Sequence, residues 1–235
     1  EGSGKRFGGG FGKLTPYAVS RGEEMPNLLG ELAEPGSVFR MNTLLSAAFP
    51  FGPVGPYMNQ NGKICQRREG SVSIALLGSG ASCDAHHISA PEPTGKGALQ
   101  AMRKALASAK VQPGQIGYLN LHGTATQHND AMESLAVATL FTHGVPCSST
   151  KPMTGHTLGA AGALEAAFCW LSLCADNHQQ ALPPHVWDGQ QDPELPTLKW
   201  VTATDHLASI APRYLMSNSF AFGGNNVSLI IGDAP

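Results

Sequence analysis

Charge is scarce in this sequence. Asp, Glu, Lys and Arg supply 14% of its 235 residues, and the formal net charge is -2. So weak a field recruits neither nucleic acid nor an anionic membrane surface. Set beside 42% hydrophobic residues, the low charged fraction also excludes a disordered, solvated chain. Paired cysteines are lacking too. The five cysteines, at positions 65, 83, 147, 169 and 174, are odd in number and form no CxxC. That usage points to a reduced, cytoplasmic protein and away from a disulfide framework. Histidines are present at "DAHHIS" (84–89), His122, His128 and His143. There is no HExxH and no close carboxylate–histidine spacing, so no metal is expected. No signal peptide is expected. One apolar run, residues 157–175, has Glu165 as its only charge and is about long enough to span a bilayer. Its glycines, its alanines and the carboxylate at its middle suit a packed core helix better, so no membrane span is expected.

What is there falls into two textures. Residues 1–70 show neither sustained helical period nor clean alternation, and "GKRFGGGFGK" and "AAFPFGPVGPYMNQNGK" are rich in Gly, Pro and amides. From Ser71 the pattern changes. "SVSIALLGSG" reads as a buried strand. Residues 94–110 read as an amphipathic helix with Ala98, Met102, Ala105 and Ala109 in one stripe. "IGYLNLHG" is a second strand. Asp130 opens a second helix, with Glu133 completing a capping-box-like pair. "VPCSSTK" is a third strand, and residues 157–175 form the buried helix, sandwiched between layers. Strands follow at "QQALPPH", "LKWVTAT", "YLMSNSF" and "NVSLIIG". This alternation predicts an α/β domain with a mixed sheet covered by helices. In such folds active groups gather where strands end and helices begin.

Three stretches place polar residues at such ends. "NLHGTATQHND" carries His122, Gly123, Thr124 and Thr126. "SSTKPMTGHTLG" carries Lys151 and delivers His156 to a helix entrance. "SNSFAFGGNN" is a glycine-rich turn with Phe220, Phe222, Gly223 and Gly224. Taken singly, each has an ordinary structural explanation: a satisfied strand-end histidine, a surface lysine, a turn. Cys147, Cys169 and Cys174 read as inert core thiols.

Taken together, the order HGTxT, KxxxGH and NSFxFGGNN resembles the elongating β-ketoacyl-ACP synthases of the thiolase-like superfamily. "DAHHISAPEPTGKG", "SSTKPMTGHTLGAAGALEA" and "LPPH" agree with that resemblance, which runs from about Val72 to the end. It implies a thiolase-like mixed sheet layered with helices, one half of the usual duplicated fold. It implies decarboxylative condensation of acyl and malonyl thioesters carried on the phosphopantetheine of acyl carrier protein, with no other cofactor. His122 and His156 would be the donors to the enolate oxygen. Lys151 would order them and disfavour their protonation. Glu165, on the buried helix, would support Lys151. Thr124 and Thr126 would bind the pantetheine arm. Phe222, with Gly223 and Gly224, would line the acyl side and its oxyanion hole. The implied partners are acyl carrier protein and a second synthase subunit, as a homodimer or a ketosynthase heterodimer.

The sequence departs from the family in its first part. No cysteine lies on a small-residue elbow such as Ala-Cys-Ser-Ser. Cys65 sits in "GKICQRREG" and Cys83 in "GASCDAHH", so no nucleophile is assigned to this chain. No "DGxxxGEG"-like segment precedes Ser71. The chain is therefore divided into residues 1–71, either an insertion or a segment in the wrong reading frame, and residues 72–235, a ketoacyl-synthase C-terminal domain. Two readings stand: the C-terminal half of a synthase, or a non-catalytic fragment or chain-length-factor-like partner subunit. The retained His122, Lys151 and His156 favour descent from a catalytic subunit.

Overall fold

The computed structural model describes residues 74–233, together with the two-residue strands β1 (Tyr57–Met58) and β2 (Ile64–Cys65), which pair antiparallel. The expectation of irregular structure across residues 1–71 otherwise lies outside the described residues. The domain is built on β3 (Ile74–Cys83), α1 (Lys96–Ala109), β4 (Ile116–Asn120), α2 (Gln127–Leu140), β5 (Pro146–Ser148), β6 (Lys199–Trp200), β7 (Tyr214–Ala221) and β8 (Asn225–Asp233). Between β5 and β6 lie a single helical turn, α3 (Lys151–Thr154), and the helix α4 (Ala161–Leu173).

The sheet order is β3-β8-β7-β4-β5-β6. β3, β8 and β7 run antiparallel, while β7, β4, β5 and β6 run parallel. The mixed sheet expected from the alternation is present. Successive residues of a strand face opposite sides, and the two cores follow that rule. Met216 and Ile230 join the core that holds Met102 of α1 and Met132 of α2. Their neighbours Leu215 and Ile231 join the core that holds Cys169 and Leu173 of α4. α1 lies close on β3, because a Cβ at Gly80 would stand 2.1 Å from the Ala101 carbonyl. Only glycine admits that approach.

Several sequence expectations are corrected. α2 begins at Gln127, before Asp130, because the extended Thr126 is its N-cap. The helix foreseen at 157–175 is shorter: a 3-10 turn at Leu158–Ala160 precedes the 13 residues of α4. Among the described residues α4 packs chiefly on β7 and β8 of the sheet, and Leu171 stays 50% exposed. "QQALPPH" forms no strand, only one bridge from Ala181 to His206, since Pro183 and Pro184 have no N–H for a ladder. "LKWVTAT" shrinks to the two residues of β6. No helix among the described residues is long and apolar enough to cross a membrane.

Candidate active site

β4, β5 and β7 run parallel, so their C-terminal ends share one edge of the sheet. The chain leaves β4 into His122 and leaves β5 into Lys151. Their polar groups meet there. Lys151 is 7% exposed and Glu165, from α4, is 2% exposed. The Lys151 ammonium donates to the Glu165 carboxylate and to the His122 carbonyl. It also lies 3.5 Å from His122 Nδ1. A buried carboxylate without such a partner would be costly. Burial pushes the Glu165 carboxyl up, and Lys151 works against that rise.

The imidazoles of His122 and His156 stand edge to face, with ring centroids 5.5 Å apart and planes at 84°. Neighbouring groups fix their tautomers. His156 Nδ1 accepts the Leu158 N–H at 3.2 Å, and His122 Nδ1 faces an ammonium that carries only donors. Each ring therefore holds its proton on Nε2, as a hydrogen-bond donor. Both rings are kept neutral. Burial, then Lys151, then His156 push His122 down to about 3. Burial, then Lys151, lower His156. Two neutral donors in one cluster are an arrangement that stabilises a developing oxyanion.

The remaining sequence-assigned residues surround this pair unevenly. Thr124 and Thr126 pair hydroxyl to hydroxyl at 2.8 Å on the exposed side. Phe222 is 78% exposed, in the 3-10 turn Phe222–Gly224. The aromatic beside His122 is instead Phe220, at 5.9 Å. Gly224 packs against the loop after β3: its carbonyl accepts the Asp84 N–H at 2.8 Å. Cys147 is pushed up to about 12 by burial, and burial also raises Cys169 and Cys174. These three thiols resist ionisation. Among the described residues no group of three His, Cys, Asp or Glu could hold a metal.

Glu133 is the residue that sequence reasoning misread. It is not a helix cap. It is 2% exposed, and its two oxygens accept the N–H groups of His122 at 2.9 Å and Gly123 at 2.8 Å. Asn218 of β7 donates to the same carboxylate at 3.2 Å. The Glu133 carboxylate thus holds two consecutive residues of the turn that presents His122. The signal in the sequence was an acid on the helix directly after the HGTAT turn.

Burial raises the Glu133 carboxyl from 4.5 to about 7, against the N–H bonds of Gly123 and His122. A raised carboxyl contributes stability that is complete below about pH 4.5 and is lost as pH rises through about 7. His122, pushed down to about 3, has the opposite slope, with its stability present above about pH 6.5 and lost as pH falls. A single-site variant separates the two. Between about pH 5 and pH 8, the urea midpoint of the native chain should fall relative to that of Glu133→Gln, which cannot ionise. Parallel midpoint curves would contradict the assignment.

Known proteins resemble this chain over the same region. Residues 74–186 match the family described as beta-ketoacyl synthase, C-terminal domain. A mitochondrial 3-oxoacyl-[acyl-carrier-protein] synthase of Arabidopsis thaliana is 40% identical over 170 residues, which are 70% of this chain and 36% of that protein. A 3-oxoacyl-[acyl-carrier-protein] synthase 2 of Staphylococcus aureus is 36% identical over 168 residues, 70% of this chain and 40% of that protein. A solved ketosynthase in complex with its chain length factor, from Xenorhabdus doucetiae, is 44% identical with a TM-score of 0.63, covering 78% of this chain and 46% of that one. The chain spans less than half the length of each of these relatives.

Proposed function

We propose that the chain carries the C-terminal region of a β-ketoacyl-ACP synthase, a reading supported by the match over residues 74–186, and that it supplies the decarboxylating half of the active site. The substrate is a malonyl thioester on the phosphopantetheine of acyl carrier protein. The bond between its Cα and its carboxylate carbon breaks, CO2 leaves, and the electron pair becomes an enolate whose negative charge sits on the thioester oxygen. His122 and His156 donate to that oxygen through Nε2–H. Lys151 keeps both rings neutral and is itself held by Glu165. Thr124 and Thr126 take the pantetheine arm, and Phe222, Gly223 and Gly224 face the acyl side. The observation that carries this reading is the pair of Nδ1 contacts, to Lys151 and to the Leu158 N–H. They commit both rings to donate through Nε2.

The acyl group needs a covalent carrier, and a thiolate does that work only where its pKa is lowered. Cys147, Cys169 and Cys174 are all raised. Cys83, in "GASCDAHH", sits on no small-residue elbow, so we place the nucleophile in protein beyond residues 74–233. Leu158, Leu171 and Phe222 are exposed apolar residues that such a protein would cover. A chain-length-factor-like partner is the second reading, and the lack of a suitable thiol among the described residues favours it.

The test is to incubate the purified full chain with acyl-ACP and malonyl-ACP and to follow both β-ketoacyl-ACP and CO2. CO2 release dependent on the two histidines, without condensation, is expected. Condensation abolished by Cys65→Ala or Cys83→Ala would overturn the account, and no CO2 at any enzyme concentration would favour the second reading.

A further inference from the structure

The "LPPH" segment forms no strand, yet its last residue reaches the site from behind. Three bonds staple the segment to the sheet. Ser148 Oγ donates to the Pro183 carbonyl at 2.7 Å. The His185 N–H donates to the Val201 carbonyl at 2.8 Å. The Ser149 N–H donates to His185 Nδ1 at 3.2 Å. The His185 ring is held by indoles, stacked on Trp200 with centroids 4.1 Å apart and planes at 13°, and 5.7 Å from Trp187.

Ser149 sits between the two loops that carry the site. Its hydroxyl donates to the Gly123 carbonyl at 2.7 Å, and it accepts the Lys151 N–H at 3.3 Å. Contact with the His122 turn is so close that a Cβ at Gly123 would lie 2.5 Å from Ser149 Cβ. Gly123 also has a φ of +41, a region that favours glycine. Ser149 is 3% exposed, so its N–H has no bulk water to turn to and needs a protein acceptor. The His185 lone pair is that acceptor.

We propose that His185 is a positioning residue that sets the His122 and Lys151 loops through the main-chain N–H of Ser149. The proposal rests on the decarboxylase reading only for its catalytic meaning; the geometry stands without it. Burial lowers the pKa of His185, and only the neutral ring has a lone pair on Nδ1 to offer. The flat contact with Trp200 fixes the ring plane so that the lone pair points at Ser149.

Two substitutions separate acceptor from stacking. His185→Phe keeps an aromatic ring on Trp200 and removes the acceptor. His185→Asn gives up the stack but keeps an oxygen near the Nδ1 position. In the full chain, NMR of the Phe variant should show faster hydrogen exchange at Ser149 and moved resonances at Gly123, His122 and Lys151. The Asn variant should restore protection at Ser149. Unmoved His122 and Lys151 resonances in a folded Phe variant would overturn the proposal. So would an unprotected Ser149 in a folded Asn variant. The native chain supplies a check that needs no variant: a scalar coupling across the Ser149 N–H to His185 Nδ1 bond, whose absence would also overturn it. None of these measurements contains substrate. If the coupling and the variant pattern hold while CO2 release fails, the decarboxylase reading falls and the role of His185 stands.

Discussion

Replacing Lys151 by methionine is expected to destabilise the domain by about 3–5 kcal/mol, because it leaves the buried Glu165 carboxylate without its cation. For a unit of this size that is a fall in melting temperature on the order of 10 °C. The volume lost is small, so charge and not packing carries the effect. Glu165 is 2% exposed, and one of its oxygens, Oε2, already has no hydrogen-bond partner. The double variant Lys151→Met with Glu165→Leu should recover most of the loss, since an apolar pair can replace a buried ion pair at little cost. Thermal unfolding of the four chains of this cycle measures it. A Met variant as stable as the native chain would mean that the pair does not hold the site together. The double variant should stay inactive even if stable, because His122 Nδ1 would have lost the ammonium that fixes its tautomer.

The second large effect is on chemistry. Loss of either imidazole should lower CO2 release from a malonyl thioester by about 10²–10³-fold, the range for removing one preorganised oxyanion donor. The two alanine variants should differ in stability. His122 is 6% exposed and packs 5.9 Å from Phe220, so His122→Ala opens a void and should lose about 1–3 kcal/mol. His156 lies exposed at the rim, so His156→Ala should unfold like the native chain. Single-turnover release of labelled CO2, with unfolding curves on the same samples, separates the effects. A His156→Ala chain that is stable and fully active would remove one donor from the mechanism.

The cluster of His122, Lys151, His156 and Glu165 was legible because its members sit at element ends, and a near-chargeless helix has few reasons to hold one carboxylate. The mixed sheet was legible for a similar reason: β3, β7 and β8 are long, with periodic apolar residues. Glu133 was not legible as a clamp, because an acid near a helix start has the same pattern whether it caps its own helix or reaches across to another turn. His185 was hidden by its context, since two prolines and a histidine show nothing of the indoles of Trp187 and Trp200, two and 15 residues on. Phe220 and Phe222 share one motif and, two residues apart, would share one face of a continued strand; β7 ends at Ala221 and the 3-10 turn begins at Phe222, so only Phe220 lies beside His122. The length of α4 was overestimated because Leu158, with a φ of +52, interrupts an apolar run that hydropathy alone treats as continuous.

The central claim is that His122 and His156 are both neutral and both hold their protons on Nε2. Ring-nitrogen NMR of the full chain labelled at histidine tests it most directly. At neutral pH the account predicts an unprotonated Nδ1 and a protonated Nε2 for each ring, with His122 remaining neutral as the pH falls toward about 3. A protonated Nδ1 on either ring, as the other tautomer or as the cation, would contradict it.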